Sequence, residues 1–245
     1  MSQNFLSIYA KSFNWAGFFL PKKIYLSSSD LYDFCRTLDN IADQDKDLKI
    51  KKDNFKKYKD DFNNKNLTNP TIKKIYGLID NFKISPNVVL DLFDGIESDL
   101  KENIRLNSNK ELLVYSYRVA GTVGLMMAKI LNVKSKNSFK SAIDLGIAMQ
   151  LTNISRDVVE DGKRNRIYIN PDFETIKKTL ELANKFYESS FKSIKEIPFR
   201  SRFAIIVARR LYREIGNKIL SKKNMENYNN SGKIYVSNFN KVYQT

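Results

Sequence analysis

The sequence has no histidine and a single cysteine, Cys35. Without histidine there is no imidazole metal site, no Ser-His-Asp triad and no imidazole acid-base chemistry, so any metal must be held by oxygen. One cysteine cannot close an internal disulfide, which fits a reducing compartment, and Cys35 is expected to pack on the apolar side of its helix. Nine glycines and five prolines in 245 residues are too few turn signals for regular β-architecture. The expectation is an all-α helical bundle, one domain spanning residues 1–245, with room for a large core. No stretch approaches the roughly 20 apolar residues of a membrane span, and residues 1–23 lack the basic start and apolar run of a signal peptide. A cytoplasmic protein follows, at most peripheral at the inner face of a membrane.

Positive charge is in excess, with 42 Lys and Arg against 27 Asp and Glu for a net +15. Such a balance attracts polyanions in general: nucleic acid, anionic headgroups or diphosphates. The lysines are scattered among asparagines and no nucleic-acid module is visible, so no nucleic-acid partner is expected.

The most informative stretch is LGIAMQLTNISRDVVEDGKRNRIYINP, residues 145–171. At 100° per residue, Gln150, Asn153, Asp157 and Asp161 fall within an arc of about 80° on one helix face. Ile147, Leu151, Ile154 and Val158 lie beside them, which puts the acids at the edge of a buried surface, where unpaired charge is costly. Carboxylates one turn apart with an amide above them are the hard oxygen donors that Mg²⁺ or Mn²⁺ accepts. A solvated helix end would show the same pair. A second stripe changes the weight of this one: in residues 32–45, Tyr32, Arg36, Asp39 and Asp43 occupy an arc of about 60°. Two acidic ladders on two amphipathic helices can close on each other and hold divalent ions between them.

Between and beyond the ladders the pattern is helical. Residues 46–74, rich in Lys, Asp and Asn, read as an exposed helix and a loop at NNKNLTNP. Two core-facing helices follow, the second opening at Pro86. Residues 112–131 form the most apolar helix, yet carry Gly121 and Gly124, each costing about 1 kcal/mol relative to alanine in a helix interior. Tight helix packing and a lined cavity both account for them. Lys163, Arg164 and Arg166 follow the second ladder, where they suit either a helix C-terminus or a phosphate. Residues 172–222 give two more helices, split near Pro198.

FCRTLDNIAD, YSYRVAGTVGLMMAKIL at 115–131 and QLTNISRDVVEDGKRNRIYI at 150–169 resemble the three signature blocks of the squalene and phytoene synthase family, in the family's order, with YRVAGTVGLM and QLTNISRD most similar to the phytoene synthase branch. Weaker likeness runs from KSFNWAGFFLP to YREIGNKI. The resemblance implies a head-to-head prenyl transferase that condenses two geranylgeranyl diphosphates to phytoene through a cyclopropyl diphosphate, in carotenoid biosynthesis. Carried over by position, Asp39, Asp43, Asp157 and Asp161 bind Mg²⁺ with help from Asn153. Tyr32, Arg36 and Arg156 hold diphosphate or orient the acids. Lys11 and Ser12 contact diphosphate at the N-terminal segment, Tyr115, Val119, Ala120 and Gly124 face the isoprenoid tails, and Gln150, Arg166, Tyr212 and Lys233 complete the substrate site. No dinucleotide fingerprint is present, so no NADPH is expected. A peripheral membrane contact would deliver the hydrocarbon product; the oligomeric state is not legible.

The chain departs from the family in places. Ala10 stands where some relatives have serine, Asn170 where they have proline, and Lys233 where many have arginine, which loses the fork geometry and keeps the charge. The first block reads Asp39-Asn40 and Asp43-Gln44 where paired acids are common. Alternatives to a phytoene synthase are a presqualene diphosphate or dehydrosqualene synthase using farnesyl diphosphate, and a catalytically silent assembly factor.

Overall fold

The computed structural model describes residues 20–44 and 46–236. Pro21, with φ −55° and ψ 140°, starts helix α1 (Lys22–Asp43), which buries Leu31, Phe34, Leu38 and Ala42 at helical spacing. Asp47 caps α2 (Leu48–Asn63) by accepting from the Lys49 amide. This helix is not merely exposed, as its composition implied: Phe55, Tyr58 and Phe62 enter the core and, with Phe34, surround Phe93 at centroid distances of 5.3–6.0 Å. The NNKNLTNP break is a loop whose Asn69 caps α3 (Pro70–Phe82), and Lys83 in the left-handed region ends it. Helix α4 (Pro86–Glu97) opens with the expected proline.

After α4 the chain makes a two-residue strand, β1 (Ile104–Arg105), which pairs in parallel with β2 (Arg166–Ile167). Sequence periodicity predicts no strand; the pairing takes up the backbone groups of two extended connections that run side by side. The apolar helix of residues 112–131 is divided. Helix α5 (Asn109–Ser116) passes into a π-helical turn at Tyr117–Gly121, and α6 (Thr122–Ile130) resumes. Central to the molecule is α7 (Lys136–Lys163), 28 residues long and buried at intervals from Ser138 to Val158. It packs on α6, on the π turn, on α8 (Phe173–Phe191) and on α9 (Phe199–Leu220). Short α10 (Met225–Asn230) is tied to α7 by the Tyr228 hydroxyl, which donates to the Arg156 carbonyl at 2.6 Å.

The glycines of α6 and α7 answer the question the sequence left open. A Cβ on Gly124 would run into the Ala142 carbonyl oxygen, and one on Gly146 into that of Ala120, so Gly124 lets α6, and Gly146 the π turn, meet α7 backbone to backbone; both glycines also line a cavity. Gly146→Ala is expected to lose about 1–3 kcal/mol by overpacking, a fall of roughly 3–10 °C in Tm for a chain of this size. Gly77 has nothing within 4 Å of a built Cβ, and Gly77→Ala is expected to gain up to about 1 kcal/mol. Thermal unfolding of the two variants should therefore move in opposite directions.

Candidate functional site

Helices α1 and α7 form opposite walls of a cavity of about 360 Å³, closed on its other sides by the π turn, α6, the end of α8 and α9. Along α7 the lining runs from Ser138 to Asn153, which at 1.5 Å per residue is about 22 Å. One end is polar, with Tyr32 and Asp39 from α1, Gln150 and Asn153 from α7 and Tyr212 from α9; the rest is mainly apolar, with the hydroxyls of Ser28, Ser138, Ser141, Ser190 and Ser193 among it. Val119, Ala120 and Gly124 line it as expected.

Tyr115 does not. Its hydroxyl lies behind the wall, donating to Asp99 Oδ2 at 2.8 Å, and its ring stacks on Tyr168 at 4.7 Å. The π turn between Tyr115 and Val119 is the reason, since an i→i+5 turn breaks the angular register that a continuous α-helix imposes. Cys35, expected as a packing residue, faces the cavity, and burial raises its thiol pKa. Lys11 and Ser12 lie outside the described residues.

The ladder acids divide into two kinds. Asp43 accepts from Arg166 Nη1 at 2.8 Å, with Arg164 at 3.5 Å. Asp157 is clamped by Arg156, from Nε at 2.9 Å and Nη2 at 2.5 Å, and Lys233 Nζ stands 3.3 Å from Oδ1. Asp39 and Asp161 have no ion-pair partner among the described residues. Burial, then the negative charge of Asp43, pushes Asp39 up to about 7, against the pull of Arg36. Burial, then Asp157, does the same to Asp161. Both acids also feel Asp99 and Arg166, so the two ladders meet in one electrostatic neighbourhood. Burial raises the Tyr32 phenol as well, and carries that of Tyr212 to about 12.

Asp99 was not visible in the sequence because it follows the end of α4, where no helical period marks it. It is 8% exposed and accepts from both Tyr115 and Tyr168 at 2.8 Å. Burial lifts it to about 6, while Tyr168, Arg166 and Tyr115 pull it down. Burial works against the Arg166 guanidinium, yet Tyr168, Asp43 and Asp99 together raise its pKa. Asp99→Ala removes the acceptor that both buried hydroxyls share, leaving Tyr115 only the Tyr168 hydroxyl at 3.1 Å and Tyr168 no acceptor, and is expected to cost about 1–3 kcal/mol. Tyr168→Phe, which leaves Tyr115 bonded to Asp99, should cost less, and urea midpoints of the two variants give the order.

The polar end suits a divalent cation. Asn153 Oδ1 is buried with no hydrogen-bond partner among the described residues, and it shares the cavity with Asp39. An orphaned amide oxygen and carboxylates raised by burial and then by like charge are hard donors that a cation would satisfy. As the side chains stand, no three acids of the described residues converge on one point, and Asp43 and Asp157 are turned to their arginines.

Residues 7–173 match the sequence pattern of the squalene/phytoene synthase family. The chain is 33% identical to a phytoene synthase of Pseudescherichia vulneris over 56% of its own length and 50% of that protein. It is 29% identical to chloroplastic phytoene synthase 1 of Solanum lycopersicum over 96% of its length and 63% of the tomato protein. It thus spans about half to two thirds of the length of these curated relatives. Among solved structures, a dehydrosqualene synthase in complex with ligand superimposes with a TM-score of 0.81 at 28% identity, covering 98% of this chain and 91% of the other.

Proposed function

This chain belongs to the squalene/phytoene synthase family, and we propose that it joins two geranylgeranyl diphosphates head to head, through a cyclopropyl diphosphate, to give phytoene. The observation that carries the reading is the gradient within one cavity: the Asp39 carboxylate and an orphaned amide oxygen at one end, and a mainly apolar lining of about 16 Å along α7 beyond them. A prenyl diphosphate has the same polarity, an anionic head on a long hydrocarbon tail.

Asp39, Asp161 and Asn153 would hold Mg²⁺, joined by Asp43 and Asp157 once released from their arginines. A metal held there would supply positive charge to the departing diphosphate. Arg164, Arg166 and Lys233, now paired with Asp43 and Asp157, become donors to diphosphate oxygens as those acids turn away. The first ionisation leaves an allylic and the second a cyclopropylcarbinyl carbocation, and each closes with loss of one proton and one diphosphate. Leu31, Val119 and Met149 keep water from the cation, and the rings of Tyr32 and Tyr212 face it with π density.

A second reading keeps the chemistry and shortens the substrate to farnesyl diphosphate; the 28% identity to a dehydrosqualene synthase over nearly the whole chain favours it. Product analysis separates the two. Purified protein incubated with Mg²⁺ is expected to release diphosphate and form a C40 hydrocarbon from geranylgeranyl diphosphate, and to leave farnesyl diphosphate unconverted. A C30 product alone moves the assignment to farnesyl diphosphate, and the absence of both hydrocarbon and diphosphate release rejects the activity.

A further inference from the structure

A second hollow lies on the outer side of the wall that α6 and the start of α7 give the large cavity. Its volume is about 440 Å³, within the range of small-molecule sites, and no residue lines both spaces. The helical period divides the wall between them. Val123, Gly124 and Met127 of α6 face the large cavity, while Leu125, Met126 and Lys129 face the hollow.

Four lysines line it: Lys83 at the end of α3, Lys129 near the end of α6, and Lys136 and Lys140 in the first turns of α7. No Asp or Glu joins them there, and none of the four makes an ion pair among the described residues. Lys129 is half-buried, and its ammonium stands 4.4 Å from the centroid of the Phe139 ring, a contact that meets charge with a quadrupole and not with an anion. The first turn of α7 holds no acid, so the positive end of that helix adds to the lysines instead of offsetting them. Like charges gathered around a concavity focus a potential that draws in ions of the other sign. The floor beneath them is apolar, formed by Val88, Leu125, Met126 and Ile143 beside Phe139.

We infer that this hollow binds an organic phosphate, its phosphate or diphosphate group among the four lysines and its apolar body on Leu125, Phe139 and Ile143. The lysines supply point charges that suit phosphate oxygens, and the floor gives a hydrocarbon or a ring a place out of water. Concavity selects a small molecule over an acidic protein, because a stable protein interface needs roughly 1,000 Å² of matched surface and these groups close around a volume of ligand size. Prenyl diphosphates and aromatic phosphate esters share the required chemistry. The inference does not rest on the proposed reaction. Lysines hold phosphate without a metal, so binding read in chelator and mapped to these residues can fail while turnover stands, and the reverse.

The test is calorimetry on the full chain at low salt with chelator, using three probes: geranyl thiolodiphosphate, whose C–S bond resists ionisation, 1-naphthyl phosphate, and inorganic diphosphate. At least one of the two organic probes is expected to bind about tenfold more tightly than inorganic diphosphate, and the tighter of the two identifies the source. Lys129→Ser, Lys136→Ser and Lys140→Ser should each weaken that binding about threefold, and the triple variant roughly thirtyfold. Replacing Lys52, Lys56 and Lys57 on α2 by serine removes the same charge elsewhere and should change binding little. Amine acetylation read by mass spectrometry locates the site in the parent protein, where the bound probe should slow labelling of Lys129, Lys136 and Lys140 and leave Lys52 and Lys56 unprotected. Inorganic diphosphate binding as tightly as both organic probes overturns the inference by reducing the hollow to a patch of charge, and equal loss in the α2 control does the same. Failure of both organic probes to bind, or binding without protection of the three lysines, overturns it as well.

Discussion

Replacing Asp157 and Asp161 together by alanine is expected to abolish Mg²⁺-dependent diphosphate release while the protein remains folded. The two carboxylates occupy one face of the last turns of α7, a helix held along its length by α6, α8 and α9, so its core does not depend on them. Their removal relieves a repulsion, because the charge of Asp157 is the second cause of the high pKa of Asp161. Activity and stability should thus move in opposite directions. Loss of a single preorganised electrostatic group at a reacting centre costs about 10²–10³ in rate, and the double variant removes two cation ligands while freeing Arg156 and Lys233. Turnover should fall beyond about a thousandfold, with Tm equal to or above that of the parent without metal. Phosphate-release assays and calorimetry on one preparation check both halves. Full turnover in the double variant would falsify the assignment of the site.

A destabilised variant would mean that the acids are structural, and the ion pairs around them make that alternative concrete. The Arg156 side chain is 16% exposed and pairs with Asp157; were it held in place when stripped of that carboxylate, its guanidinium would be short of a partner, a loss on the scale of a buried charge unpaired. Asp157→Asn keeps the oxygen and the shape, so a normal Tm with lost turnover in that variant separates the two roles.

How much of this was legible in the sequence depends on what carried the signal. The ladders were legible because a long α-helix converts spacing into direction without error. Gln150 and Asn153 on α7, and Tyr32 and Asp39 on α1, line the cavity as their angles required. The same rule failed for Tyr115, where five residues of π-helix intervene and hydrogen-bond register is not written in composition. Phe55, Tyr58 and Phe62 follow a helical period, but lysines and asparagines around them hid it. Asp99 lies past a helix end, in a connection whose course only the pairing of β1 with β2 fixes. The apolar far end of the cavity is assembled from Leu20, from Leu131 and Val133, and from Ile197 and Ile205, three segments more than 50 residues apart in sequence. Helical periodicity therefore reports the walls of such a site, while the floor and the far mouth are tertiary facts.

Without metal the protein is expected to lose stability as pH rises. Asp39 and Asp161 sit at about 7 in the folded state and Asp99 at about 6, against an ordinary value of 3.8. Between these limits the folded chain holds protons that the unfolded chain has released, so the slope of unfolding free energy against pH is negative. The loss starts near pH 4, is steepest near pH 5, slackens as the folded carboxyls titrate through 6 and 7, and flattens above about 8. Mg²⁺ reverses this, since it binds the ionised carboxylates and must displace protons from them at lower pH. Added Mg²⁺ should leave Tm nearly unchanged near pH 5 and raise it clearly near pH 8, by linkage to a ligand that binds only the folded state. The variant carrying Asp39→Asn and Asp161→Asn removes the two groups with the largest upward shifts, and should flatten the pH dependence and erase the Mg²⁺ effect together. Scanning calorimetry across this range, with Mg²⁺ or with chelator, reads both. A Tm that rises from pH 5 to pH 8 without metal, or an equal Mg²⁺ shift at the two ends, would show that the acids at the cavity's polar end are neither crowded together nor waiting for a cation.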